Sequence, residues 1–135
     1  MTAIATRPFS DSTDSLLRFA MRADATLCAA AGLLTAMTAD PLSRLTGVSA
    51  TAEWLGGAAL VGYGALLYVL AAVNGLRWIG IALVAANTVF AVGATAAVTA
   101  GLLPLTPIGA ALVLAFAAVT AVLAWLQYLG VRRLA

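Results

Sequence analysis

Few side chains in this sequence have chemistry to offer, and Asp24 carries the most consequence. It stands near the start of an apolar run, in Arg18-Phe-Ala-Met-Arg22-Ala-Asp24-Ala25. Arg18 and Arg22 are four residues apart and share a helix face. Asp24 lies about 200° round from Arg22, on a stripe made of Ala20, Asp24, Leu27, Cys28, Ala31 and Thr35. An arginine near a membrane boundary snorkels to the headgroups, whereas an aspartate is too short to do so. Asp24 is therefore the acid expected inside the boundary, and two roles are open to it. It can bind a proton or cation, as intramembrane acids of transporters do. Alternatively it is a structural acid, paired with Arg77 or a C-terminal arginine, or hydrogen-bonded by Gln127, Tyr128 or Tyr68 at similar depth. The structural role is the favoured expectation.

Asn87 is the second polar position. It falls in the middle of an uncharged stretch, where an asparagine either lines a substrate path or bonds a neighbouring helix, and the latter is expected. Thr88, Thr95, Thr99 and Thr120 carry less information, because a threonine hydroxyl bonds carbonyls of its own helix. The candidate intramembrane polar site is thus Asp24, Asn87, Arg77, Gln127 and Tyr128. Histidine is absent, which removes the imidazole base and imidazole metal or haem ligands. Cys28 is the single cysteine and reads as a small packing residue. No serine has a histidine or lysine to activate it, and no pair of intramembrane acids can share a proton. Enzyme activity, a cofactor and a metal site are not expected.

The elements that must position these residues are membrane spans. Hydrophobic residues form 64% of the chain and charged residues 9%, against about 25% charged in ordinary soluble domains. Trp78 to Ala100 contains no charge; as a helix it reaches about 34 Å, enough for a hydrocarbon core of about 30 Å. It shows no period-2 alternation, so a helix is the structure that satisfies its own backbone in lipid. Similar runs cover Trp54 to Val73 and Ile108 to Leu129, and another, in a helix whose uncharged part Ala25 to Ala39 is too short to span, covers Leu16 to Met37. The expected fold is all-α, one four-transmembrane-helix bundle (residues 13–135) with antiparallel neighbours, after a polar tail over 1–12. The helices fall at about 13–39, 53–73, 77–101 and 107–131. Asn74-Gly75 makes a tight turn that predicts a hairpin of the second and third helices. Pro104 and Pro107 break the third connection, and Pro-Leu-Ser-Arg-Leu-Thr-Gly47 predicts a short interfacial turn or helix. Gly93, Ala97 and Gly101, with Ala110, Ala111, Ala115 and Ala118, allow close helix approach.

The arginines set an expected orientation. Arg7, Arg18, Arg22, Arg77, Arg132 and Arg133 fall on the side holding both termini, while only Arg44 falls on the other, with Asp40 and Glu53. The positive-inside bias predicts cytoplasmic N- and C-termini in a bacterial inner membrane. Trp54, Trp78, Trp125 and Tyr128 form an aromatic belt. The seven basic residues flank the spans and make no phosphate-binding patch, so nucleic acid is not an expected partner. A cleaved leader is not expected either, because the first charges are mixed in sign and the apolar run starts late.

Arg18-Phe-Ala-Met-Arg22-Ala-Asp24-Ala25, Asp40-Pro-Leu-Ser-Arg-Leu-Thr-Gly47, Gly62-Tyr-Gly64 and Leu126-Gln-Tyr-Leu-Gly-Val-Arg-Arg133 together resemble a group of small integral membrane proteins typical of actinobacteria. In size and layout the chain is also loosely similar to DoxX-like four-helix proteins. The resemblance implies a four-helix fold and brings no activity. The expected function is non-enzymatic, through helix association, as an accessory subunit of a larger membrane complex or a self-associating scaffold, with the bilayer and membrane subunits as partners. The alternatives are a small dimeric proton-coupled exporter of hydrophobic cations using Asp24, and a lipid- or quinone-handling protein.

Overall fold

The computed structural model describes residues 13–134. The expected tail over 1–12, with Arg7, lies outside the described residues. Within them the chain is all-α, with helices α1 (Ser15–Met37), α2 (Ala39–Thr46), α3 (Ala50–Leu70), α4 (Leu76–Thr99) and α5 (Pro107–Arg132). α3, α4 and α5 are each long and apolar enough to cross a membrane, and the bent pair α1 and α2 qualifies as a fourth span when taken together. α1 alone is 23 residues, or about 34 Å.

The first run breaks at Thr38, where α2 turns away from α1 by 94°. Pro41 explains the break: it has no N–H for the Met37 carbonyl, and its ring clashes with the carbonyl four residues back. Thr38 closes α1, its backbone N–H and its hydroxyl both donating to the Leu34 carbonyl. α2 ends at Gly47, whose φ of +84° favours glycine. The strap is fastened at its far end. Thr46 donates its hydroxyl to Glu53 Oε1 at 2.5 Å, and its carbonyl accepts from the Thr106 N–H at 2.9 Å. The Thr106 hydroxyl donates to the Leu45 carbonyl and accepts from the Gly109 N–H at 3.0 Å, so one side chain caps α5 and anchors α2.

α1 packs along both α3 and α5, and α4 packs along α5. α3 and α4, although joined by the tight turn, have few contacts with one another, so the expected hairpin of these two is opened. The cause is the small face of α3, which α1 occupies. A methyl group added at Gly57 would sit 2.5 Å from the Gly32 carbonyl oxygen, and one at Gly64 would sit 2.6 Å from that of Ala25. Both pairs are seven residues apart on their helices, so two backbones touch along a shared stripe. In lipid, where apolar burial gives no drive for association, such backbone proximity is what supplies dispersion contacts. Gly93, from the small-residue series read in the sequence, has open space around it.

At the opposite end of α1 the contact is held by charge. Arg18 donates to the carbonyls of Ala71 (2.6 Å) and Val73 (3.0 Å), and to Asp14 at 2.8 Å. The guanidinium thereby satisfies carbonyls left over at the end of α3 and complements its dipole. Leu17, Met21, Ala25, Leu67, Leu76 and Leu83 fill the core beside it.

Candidate functional site

Asp24 lies in the middle of the bundle, 2% exposed, and three donors converge on it. Asn87 of α4 and Gln127 of α5 each bring an amide nitrogen to 2.8 Å from Oδ2. Cys28, one turn further along α1, donates its thiol to Oδ1 at 3.3 Å. The Asn87 amide also donates to Gln127 Oε1 at 2.9 Å. The Asn87 oxygen in turn accepts from the hydroxyl of Tyr63, on α3, at 3.3 Å. Each of the four long helices therefore contributes at least one side chain to one hydrogen-bonded cluster.

The amide orientations follow from the carboxylate. Its oxygens accept, so the nitrogens of Asn87 and Gln127 turn toward it, which leaves the Asn87 oxygen to take the tyrosine proton. Asn87 is 5% exposed and Gln127 fully buried. No buried side-chain nitrogen or oxygen among the described residues lacks a partner. That closure matters because an unmade hydrogen bond costs more than a made one contributes.

Of the sequence-derived candidates, the structure brings Asp24, Asn87 and Gln127 together and leaves Arg77 and Tyr128 apart from them. Arg77 is exposed in the first turn of α4, ten residues and about 15 Å along the helix from Asn87. Tyr128 follows Gln127 in sequence but points about 100° away. It is 40% exposed, packed against Trp125 with ring centroids 5.6 Å apart and lying beneath the Arg132 guanidinium at 5.8 Å. Tyr68 is exposed as well. The carboxyl group of Asp24 is thus met by neutral amides and a thiol where the sequence suggested a guanidinium. Among the described residues the one ion pair is Arg18 with Asp14.

Tyr63 is the member that sequence reasoning missed, and its signal was present in Gly62-Tyr-Gly64. Flanking glycines thin the helix around a polar tip, and Gly64 lets α1 close on it. Cys28 belongs to the cluster as a donor, beyond its expected packing role.

The cluster has little reactive potential. Its donors and acceptors are matched to one another, and among the described residues no group of acids, cysteines or histidines could hold a metal and no second carboxylate is bonded to Asp24. Two grooves open on the outside of the bundle. One, of about 420 Å³, lies where α1, α2 and α3 meet, beside Asp40 and Trp54. The other, of about 310 Å³, runs between α4 and α5. Asp24 lines neither of them. Comparison with known proteins gives no match: no family model, no curated protein and no solved structure is significantly similar to this chain.

Proposed function

We propose that this chain is a non-enzymatic, four-span protein of a bacterial inner membrane, with cytoplasmic termini, that acts through helix association. Its role is that of an accessory subunit in a larger membrane complex or a self-associating scaffold. The observation that carries this reading is the closed cluster around Asp24. Asp24, Asn87 and Gln127 are engaged with one another and, with Tyr63, hold four helices in register, and neither of the two grooves is lined by them. What remains for interaction is the apolar outside. The arginine asymmetry supports the orientation.

The test is purification of the intact chain from native membranes at the lowest solubilising detergent concentration. A partner or second copy retained in fixed stoichiometry supports the reading. A monomer with no retained protein, at every detergent level that keeps it folded, contradicts it.

A second reading, proton-coupled export of hydrophobic cations through Asp24, is favoured by one observation: no guanidinium among the described residues bonds or pairs with the buried carboxylate. It requires a path to Asp24 that neither groove supplies.

A further inference from the structure

The groove between α4 and α5 has apolar walls and a charged end, and its two walls are built on the same spacing. On α4, Arg77 is followed by Val84 and Thr88, seven and eleven residues on; on α5, Arg132 is preceded by Trp125 and Ala121, again seven and eleven residues away. Steps of seven and eleven residues return to the same helix face within about 20°. Each wall of the groove therefore runs along one helix face into an arginine. α4 and α5 are antiparallel neighbours, and Gly80 of α4 lies against Val131 of α5. The two arginines accordingly stand at the same end of the groove, with Arg77 about half a turn further out.

The charge pattern is one-sided. No charged residue occurs between Arg77 and Arg132 in the sequence, so the remainder of both walls and the other end of the groove are neutral. Neither arginine has a carboxylate partner among the described residues. Arg132 lies over Tyr128, which itself lines the groove, and this sets the guanidinium beside that end of the wall. Trp125 and Tyr128 are the amphipathic rings that settle at headgroup depth.

We propose that this groove is a binding site for an anionic glycerophospholipid. One acyl chain lies between Val84, Thr88 and Val92 on one side and Ala121 and Trp125 on the other, and the phosphate sits between Arg77 and Arg132. Basic pockets between membrane helices recognise such headgroups by charge, and a planar guanidinium meets phosphate oxygens with two parallel N–H donors. The site is separate from the Asp24 cluster: Ala91 and Ala124 form the groove floor, while Asn87 and Gln127 are buried behind it. It does not depend on the association proposed above.

The experiment uses the full chain in an uncharged detergent, with phosphatidylglycerol and phosphatidylcholine of identical acyl chains. Retained lipid is counted by native mass spectrometry and thermal stabilisation is measured in parallel. The expected result is one retained phosphatidylglycerol per chain, preferred over phosphatidylcholine by about tenfold. R77Q/R132Q should lose that preference, whereas R22Q/R133Q, with the same change in net charge, should keep it. Ala121→Phe, which fills the groove with both arginines in place, should lower retention of either lipid. Equal retention of the two lipids by the unaltered chain would overturn the proposal. So would equal loss in the two arginine double variants, or unchanged retention in Ala121→Phe.

Discussion

Asn87 stands 2.8 Å from Asp24, donating to it, while its own oxygen accepts from Tyr63 on a third helix. One amide thus ties α1, α3 and α4 together at a single depth, and Gln127 adds α5 to the same carboxylate. The relationship makes the consequences of substitution depend on which atoms remain, not on charge alone.

Asp24→Asn should be tolerated better than Asp24→Leu. An asparagine keeps one oxygen for the two amide nitrogens and turns its own nitrogen toward the Cys28 sulfur, whereas leucine leaves one N–H of each amide without an acceptor. Each buried donor left unmade costs about 1–3 kcal/mol, so Asp24→Leu should lose several-fold more stability than Asp24→Asn in a denaturing-detergent titration. Equal losses would show that the carboxylate charge, not its acceptor geometry, matters.

Asn87→Asp should be worse than Asn87→Ala. The aspartate places a second carboxylate at 2.8 Å from the first, and like charges at that distance disfavour each other strongly. Tyr63→Phe, which removes one bond of 3.3 Å, should cost least, near the average of about 0.6 kcal/mol for hydrogen bonds between membrane helices. The three variants, ranked in one unfolding series, check the order.

Gly56 and Gly57 offer a sharper contrast because they are adjacent. A side chain at Gly56 meets nothing within 4 Å, while one at Gly57 collides with the backbone of Gly32 and Ala36. Gly57→Leu should separate α1 from α3 and destabilise by more than about 2 kcal/mol, with Gly56→Leu close to neutral. Cysteine pairs introduced across α1 and α3, scored for crosslinking in each background, would read the separation directly.

Thr106→Val keeps the shape of the side chain but removes the cap of α5 and the bond to the Leu45 carbonyl. The loss should be about 1 kcal/mol and should be local. Amide exchange should quicken in α2 and the first turn of α5, with the Asp24 cluster unchanged. Exchange that quickened throughout the bundle would contradict a local strap.

The helices were legible because their signal is repeated over twenty residues: uncharged runs long enough to span, broken at Pro41, Asn74-Gly75 and Pro104. Asn87 and Gln127 were legible as polar groups in apolar surroundings that need partners. Their joint partner was harder to read, because an acid in an apolar run suggests an arginine, and nothing in one-dimensional spacing shows that two amides from distant helices arrive first. The neighbour relations were hidden for a related reason. A tight turn brings α3 and α4 close in sequence, but which small face docks where is decided by Gly32, Gly57 and Gly64 meeting in three dimensions.

Proton release on addition of a hydrophobic cation tests most directly whether Asp24 is a structural acceptor. The intact chain, purified in weakly buffered uncharged detergent, is mixed with tetraphenylphosphonium while pH is followed, alongside Asp24→Asn. Both carboxyl oxygens of Asp24 are engaged by Asn87, Gln127 and Cys28, and neither groove is lined by it, so the cation has no site beside the acid and no release is predicted from either protein. Stoichiometric release from the intact chain that vanishes in Asp24→Asn would contradict the structural account and establish Asp24 as a coupling site.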